Sequence, residues 1–157
     1  MTLRLAVPEE AETLWTIRNR AIRAGCRSSY AADVIARWTP DEMPERYRQM
    51  VMDHPFYVID NADGVPVSTG YLDLSSHSVE AIFTVPEATG NGYAGRIIDA
   101  LKQEARRRGM VKLTLSSTPN AEHFYQRLGF ISVAENRYPS AMAGTDLRCI
   151  DMVSDIE

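Results

Sequence analysis

Residues 89 to 95 read TGNGYAG, a glycine-rich turn that follows a β-branched segment and opens an apolar helical pattern. The unpaired N–H groups of a helix start, together with the helix dipole, form an anion site. Glycine lets the backbone approach a phosphate with no Cβ in the way, and Asn91 tolerates a left-handed backbone. The turn therefore suits a phosphate, although a tight strand-to-helix turn favours glycine for steric reasons as well.

Two common phosphate loops do not match this turn. A Walker A loop would continue into Gly-Lys-Ser/Thr, which is missing. A dinucleotide fingerprint belongs to the first strand-to-helix turn of a doubly wound chain, whereas this turn comes after the middle of the sequence. Other parts of the sequence must identify the ligand.

Three strand patterns precede the turn and predict an antiparallel meander. They are FYVID (56–60), VPVSTGYLDL (65–74) and SVEAIFTV (78–85), with the turn NADG at 61–64. Further upstream, a short strand at 3–6 leads into a helix with apolar residues Leu14, Ile17 and Ala21 that ends at Gly25.

Residues 27 to 54 form a less regular helical region in this interpretation. Thr39 and Glu42 have capping-box spacing with Pro40 at the first helical position, and Pro44 shortens or bends the helix beyond it.

The pattern after the turn continues to alternate between helix and strand. The helix that opens at residue 93 has the apolar face Ile97, Ile98, Leu101 and Ala105 and ends before Gly109, and KLTL (112–115) is a strand. Thr118 and Pro119 begin a short helix that runs to Gly129, and residues 147 to 153 form the last strand. The predicted order is β-α-α-β-β-β-α-β-α-β-β, an α/β (α+β) fold with a mixed sheet.

Composition and charge exclude several classes of protein. The chain has 157 residues, 45% of them hydrophobic and 24% charged, which suits one soluble domain. Cys26 and Cys149 indicate free thiols, and the three histidines show no metal-binding pattern. The formal net charge of -4 disfavours nucleic acid as a partner. With no leader pattern and no apolar run of about 18 residues, we expect a cytoplasmic protein without a membrane segment.

A second segment, TPNAEHFYQRLGF at 118 to 130, joins the glycine-rich turn in a recognisable pair. The pair resembles the GNAT superfamily of acyl-CoA-dependent N-acyltransferases. There the turn follows V-x-P and reads (Arg/Gln)-x-x-Gly-x-(Gly/Ala), and a later helix reads A-x-x-F-Y-x-x-x-G-F. The matching positions here are Thr84 to Pro86, Thr89 to Ala94, Ala121, Phe124, Tyr125, Gly129 and Phe130.

The resemblance covers nearly the whole chain and implies a single GNAT domain over residues 1–157, with a mostly antiparallel central sheet flanked by helices. It implies acetyl-CoA as cosubstrate, an amine-bearing substrate and no metal. Thr89 and Asn91 stand where the family often has cationic or amide side chains, so backbone N–H groups must supply most of the pyrophosphate contact. Arg96 either compensates or is a solvated helix residue. The implied acetyl-CoA contacts are Thr84, Val85, Thr89, Gly90, Asn91, Gly92, Tyr93, Ala94, Gly95, Arg96 and Thr118.

The implied reaction is direct attack of a primary amine on the acetyl thioester. A main-chain N–H at Thr84 or Val85 would receive the developing oxyanion, and Tyr125 would protonate the leaving thiolate. The alternative for Tyr125 is a packed aromatic ring, but Phe124 and Leu128 are the expected core pair of that helix.

The general base is Glu80 by the same resemblance. Strict alternation places Glu80, Ile82 and Thr84 on one face of the strand, and Glu80 is the carboxylate of that face. A solvent-facing strand residue is an equal alternative. Asp73 and His77 are weaker candidates.

Residues that choose the acceptor are expected between the first two helices and in the late loops. They are Tyr30, Trp38, Tyr47, His77 and the loop 138–144, with core packing the preferred interpretation of Trp38. The acceptor could be a small molecule or a peptide, and the chain could form a homodimer. A CoA-binding regulatory module without turnover, or an interaction domain that binds no CoA, remain alternative functions.

Overall fold

The computed structural model describes residues 2–156 and arranges them as a seven-stranded sheet with helices on both faces. The strands are β1 (Thr2–Leu5), β2 (Phe56–Asp60), β3 (Pro66–Asp73), β4 (Ser78–Thr84), β5 (Lys112–Ser117), β6 (Ile131–Ser140) and β7 (Thr145–Asp155). The helices are α1 (Ala11–Gly25), α2 (Ala32–Trp38), α3 (Glu45–Asp53), α4 (Tyr93–Arg107) and α5 (Glu122–Arg127).

The strand order is β1-β2-β3-β4-β5-β7-β6, and every neighbouring pair is antiparallel except β4 and β5. The predicted mixed, mostly antiparallel sheet with flanking helices is confirmed. The region 27–54 divides into two helices, so three helices rather than two connect β1 to β2.

The sheet separates two apolar clusters. Helix α4 buries Ile97, Ile98, Leu101 and Ala105, its predicted apolar face, against one side. Helices α1 and α3 cover the other side with residues such as Trp15 and Tyr47. Consecutive residues of a strand therefore belong to opposite clusters, as pleated geometry requires.

A β-bulge interrupts this alternation in β4. Thr69 pairs with Phe83 and Tyr71 pairs with Glu80, so Ala81 and Ile82 together face the single residue between Thr69 and Tyr71. Ala81 has a φ of 54°, in the left-handed region. Because of the extra residue, Glu80 pairs with Tyr71 of the α1 side while Ile82 packs on the α4 side. The predicted common face of Glu80, Ile82 and Thr84 is therefore wrong.

The predicted capping box in the helical region is also wrong. Thr39 follows the last residue of α2, and its hydroxyl donates to the carbonyl of Ile35 at 2.8 Å. Helix α3 begins only at Glu45, directly after Pro44. Thr39 therefore ends α2 instead of starting the next helix, because its hydroxyl is bonded to Ile35. Pro44, which precedes α3, has no N–H group that would need a capping partner.

The parallel junction of the sheet is short. Strands β4 and β5 share one residue pair, Ser78 with Thr114, and the Thr114 N–H donates to the His77 carbonyl at 3.2 Å. No further pair joins these strands within residues 2–156. The carboxyl halves of the two strands are therefore not paired with each other, and we call this unpaired stretch the gap in the sheet.

Candidate active site

The start of α4 differs electrostatically from the other helix starts. Helices α1, α2, α3 and α5 carry an acidic residue in the first turn, namely Glu12, Asp33, Glu45 and Glu122. The first turn of α4 carries none, and no side chain caps it. The N–H groups of Tyr93, Ala94 and Gly95 therefore lie at a positive helix end with no side-chain anion of the helix itself to balance them.

The glycine-rich turn is held by its own polar side chains. Asn91 donates from Nδ2 to the carbonyl of Ala88 at 2.9 Å, and the exposed Thr89 donates from Oγ1 to the carbonyl of Pro86 at 2.9 Å. Gly90 and Gly92 have φ values of 84° and 77°, which a residue with a Cβ adopts at a cost. A Cβ at either glycine would meet nothing within 4 Å, so the backbone of the turn is open.

The other predicted residues of the turn lie against the body of the fold. Tyr93 is half-buried between both apolar clusters, and Ala94 and Arg96 are half-buried in the first turns of α4. A Cβ at Gly95 would lie 3.8 Å from the Leu128 side chain, an ordinary van der Waals distance, so packing does not require glycine at this position.

A cavity of about 270 Å³ lies beside the turn and was not anticipated from the sequence. Asn91 and Tyr93 line it together with Val85, and the ion pair of Arg20 with Glu87 closes one side. Arg20 of α1 thus brings a cation close to the turn from a distant part of the sequence.

The end of β4 exposes one of the two predicted main-chain donors to the gap in the sheet. The Val85 N–H donates to the Val67 carbonyl at 2.9 Å and is therefore occupied. Because antiparallel strands direct alternate N–H groups to opposite sides, the Thr84 N–H points toward β5. Thr118 follows β5 at the same edge of the sheet, since the two strands are parallel.

Tyr125 is the most buried residue of α5, with 9% of its surface exposed. Its ring makes edge contacts with Phe124 and Phe130 at centroid distances of 5.1 and 6.0 Å. Phe124 and Leu128, the expected core pair, are only partly buried. No residue of 2–156 hydrogen-bonds the Tyr125 hydroxyl, and no fully buried side-chain polar atom of that range lacks a partner, so this oxygen keeps some access to solvent.

Glu80 lies within electrostatic range of Tyr125. Burial raises the pKa of the Tyr125 hydroxyl, and the negative charge of Glu80 raises it further. The pKa of Glu80 is itself raised, first by burial and then by Asp73, against the opposing hydrogen bond that Ser78 Oγ donates to Oε2 at 2.7 Å. The site thus combines a phenol that keeps its proton with a carboxylate of increased basicity.

The predicted acceptor residues Tyr30, Trp38 and His77 lie in two different places. Tyr30 and Trp38 meet edge to face at a centroid distance of 5.6 Å, and the Tyr30 hydroxyl donates to the Arg148 carbonyl at 2.6 Å. Burial raises the pKa of Tyr30 to about 12. His77 is exposed in the β3–β4 turn, away from this pair and at the opposite end of β4 from Thr84.

An aromatic cluster on the α1 side was only partly expected. Tyr47, which the sequence indicated, contacts Phe56 at 5.9 Å between ring centroids, and Phe56 stacks on Tyr71 at 4.2 Å. Both Glu80 and Tyr138 act electrostatically on Tyr71. Tyr71 gave no sequence signal, because a tyrosine within a strand is ordinary.

Arg18 of α1 borders the same cluster and was also missed. Its guanidinium carbon lies 4.2 Å from the centroid of the Trp15 ring, and its Nη2 lies 3.9 Å from the sulfur of Met142 in the β6–β7 turn. The spacing of Trp15 and Arg18, three residues apart on one helix, was the available signal.

Within residues 2–156, no group of three or more His, Cys, Asp or Glu side chains is arranged to hold a metal ion. The part of the chain that the structure describes also contains no helix long and apolar enough to cross a bilayer.

Comparison with known proteins identifies the family of the chain. The profile of the acetyltransferase (GNAT) domain family matches residues 26–150. An uncharacterized acetyltransferase of Streptococcus pyogenes serotype M1 is 34% identical over 92 residues, which span 53% of this chain and 64% of that protein.

Two solved structures share the fold across nearly the full chain. One is a GCN5-related N-acetyltransferase from Rhodopseudomonas palustris, with a TM-score of 0.88, 22% identity, and coverage of 98% of this chain and 94% of that one. The other is the PaiA N-acetyltransferase of Thermoplasma acidophilum in complex with coenzyme A, with a TM-score of 0.77, 16% identity and 99% coverage of both chains.

Proposed function

Because the chain belongs to the GNAT acetyltransferase family, we propose that it transfers an acetyl group from acetyl-CoA to a primary amine by direct attack in a ternary complex. The observation that carries the proposal is the open, uncapped start of α4 beside the gap between β4 and β5. A buried acid, Tyr125, and a half-buried base, Glu80, accompany it.

The residues of the turn fit the diphosphate of acetyl-CoA. Three backbone N–H groups, a helix dipole with no acidic residue in the first turn of α4 and two glycines in the left-handed region favour an anion at this point. The exposed Thr89 adds no charge and Arg20 is already paired with Glu87, so the backbone donors of the turn carry the interaction. Acetyl-CoA, when bound, supplies the acetyl thioester that the amine attacks.

Main-chain and side-chain groups of β4 and α5 then have separate tasks. The Thr84 N–H, which points into the gap, is placed to donate to the acetyl carbonyl oxygen as it gains negative charge. Val85 is not a second donor, since its N–H is already bound to Val67. Glu80 accepts the proton that the amine must lose, directly or through water.

Tyr125 donates a proton to the departing sulfur. Its raised pKa keeps the hydroxyl protonated at neutral pH, and its oxygen retains solvent access although the ring is buried. A phenol is a suitable proton donor to an alkyl thiolate, because the two have comparable basicity in water.

The experiment that tests the function is an acetyl-CoA assay with a panel of small amines and peptides. Release of free thiol that depends on the amine, with an acetylated product of the expected mass, supports the transferase. Binding of CoA with no turnover on any amine would favour the regulatory module instead. No binding of CoA at all would overturn both.

A further inference from the structure

Arg18 presents a cation that the fold does not neutralise. Its Nη1 donates to Asn19 Oδ1 at 2.7 Å and to the Trp38 carbonyl at 3.0 Å, and both acceptors are uncharged. Within residues 2–156 no carboxylate forms an ion pair with Arg18, whereas Arg4 and Arg48, for example, each bind acidic side chains. The guanidinium instead lies over one indole ring and near another, at 4.2 Å from Trp15 and 5.8 Å from Trp38.

This placement is unfavourable for an isolated charge. Burial lowers the pKa of Arg18 to about 10, so the side chain stays protonated at neutral pH. A cation removed from water costs free energy that neutral acceptors and ring contacts only partly offset. A bound anion would supply the missing compensation.

Arg18 lies on the same side of the sheet as the bulge of β4. Trp15, which supports the guanidinium, packs in the same apolar cluster as Ala81 and Phe83, the residues at and after the bulge. Arg18 also interacts electrostatically with Tyr47. The chain of rings from Tyr47 through Phe56 to Tyr71 leads from Arg18 to Glu80.

The turn of the β6–β7 hairpin closes over the same side. Met142 reaches Arg18, and the Ala143 carbonyl accepts a hydrogen bond from Arg37 Nε at 2.9 Å. Arg37 already pairs with Asp33, so it does not compete for an anion. An acceptor bound between this hairpin and β4 would have its amine near Glu80 and its other end near Arg18.

We propose that Arg18 binds a carboxylate of the acceptor, so that the substrate is a small amine that also carries a carboxylate. The proposal rests on the acetyl transfer proposed above. The planar guanidinium fork matches a carboxylate in two parallel hydrogen bonds. A single arginine between two indole rings suits one negative charge better than a phosphate dianion.

The test compares ω-amino acids of increasing chain length with n-alkylamines of equal length. The wild type should acetylate the amino acids with the higher kcat/KM. Arg18→Met keeps a long side chain on Trp15 and removes the charge, so KM for the amino acids should rise about tenfold to a hundredfold. KM for acetyl-CoA and the activity on alkylamines should not change.

Arg46→Met is the matched control, because Arg46 is exposed on α3 and the change in net charge is the same. Arg18→Lys keeps the charge without the fork and should give an intermediate KM. The thermal unfolding midpoint of each variant shows whether it is folded.

A binding measurement separates this inference from the proposed function. N-acetyl ω-amino acids and the matching N-alkylacetamides are titrated by calorimetry into the CoA-bound protein. Tighter binding of the carboxylate series that Arg18→Met abolishes supports the inference, even if no amine is turned over. Turnover with equal preference for both amine series and no effect of Arg18→Met would overturn the inference and leave the transferase intact. Equal binding of both probe series would overturn it as well.

Discussion

At Tyr125, burial of the ring and the charge of Glu80 both raise the pKa of the hydroxyl, so the residue can donate a proton but not accept one at neutral pH. We expect Tyr125→Phe to lower kcat about 100-fold while the acetyl-CoA dissociation constant stays unchanged. Steady-state kinetics and calorimetry measure the two quantities.

Tyr57→Phe is the control, since this tyrosine bonds Glu104 on the opposite side of the sheet from Tyr47 and Tyr71. Turnover by Tyr125→Phe at the wild-type rate would mean that another group protonates the sulfur.

Glu80 should show opposite effects on activity and stability. Its pKa is raised by burial, so the unfolded chain ionises first as the pH rises and the folded state loses stability over that range. Glu80→Gln cannot ionise and escapes this loss. The unfolding midpoint of the variant relative to that of the wild type should therefore rise as the pH increases above the ordinary pKa of a glutamate carboxyl.

Turnover by the same variant should fall by about 100-fold or more, because the general base is lost. Thermal unfolding across pH and the pH profile of kcat measure the two effects. A constant difference in midpoint at every pH would contradict the raised pKa, and full activity of the variant would exclude Glu80 as the base.

Among the elements, helix α4 permits a test in which fold stability and ligand affinity change in opposite directions. An acidic residue at Gly95, in the first turn, should stabilise the helix by about 0.3 to 1 kcal/mol relative to its neutral isostere. The same charge should weaken CoA binding about tenfold, since it repels the diphosphate at this helix start. The comparison is Gly95→Asp against Gly95→Asn, by thermal unfolding and by calorimetry with CoA. Equal CoA affinity in the two variants would place the diphosphate elsewhere.

The elements that the sequence predicts best are those whose local residue pattern matches their place in the fold. The apolar face of α4, its glycine-rich start and the meander β2–β4 are all explained by periodicity and turn chemistry. The β4 bulge could not be found this way, because Ala81 adopts its φ of 54° through pairing with β3 and not through its own preference. That one extra residue determines on which side of the sheet Glu80 lies.

Residues of the candidate site divide in the same way. Those in contiguous motifs, from Thr84 to Arg96 and around Tyr125, could be named before the fold was known. Arg18 and Arg20 could not, because only the tertiary structure brings α1 next to the hairpin and the turn. The sequence shows how many cationic side chains the chain has. Only the tertiary structure shows which of them have no acidic side chain as a partner.

For the molecule as a whole, CoA binding should increase the free energy of unfolding. At about 100 times its dissociation constant, CoA should stabilise the folded state by about 2.7 kcal/mol. For a chain of this size, that corresponds to a rise of about 5 to 10 °C in the unfolding midpoint. Pantetheine, which has no diphosphate, should give a smaller shift. An unchanged midpoint with CoA would favour an interaction domain over a CoA-binding protein.

The single pair of residues that joins β4 to β5 makes the sheet two plates with a narrow seam. Amide protons in such a seam are protected from exchange by few neighbouring bonds, so they open at a smaller free-energy cost than those of strands paired along their length. The Thr114 amide, which bonds His77 at 3.2 Å, should exchange with deuterium faster than amides in the long β6–β7 ladder. A ligand bound between β4 and β5 would hold the two halves of the sheet together. Slower exchange at Thr114 would then report ligand binding without any chemical turnover.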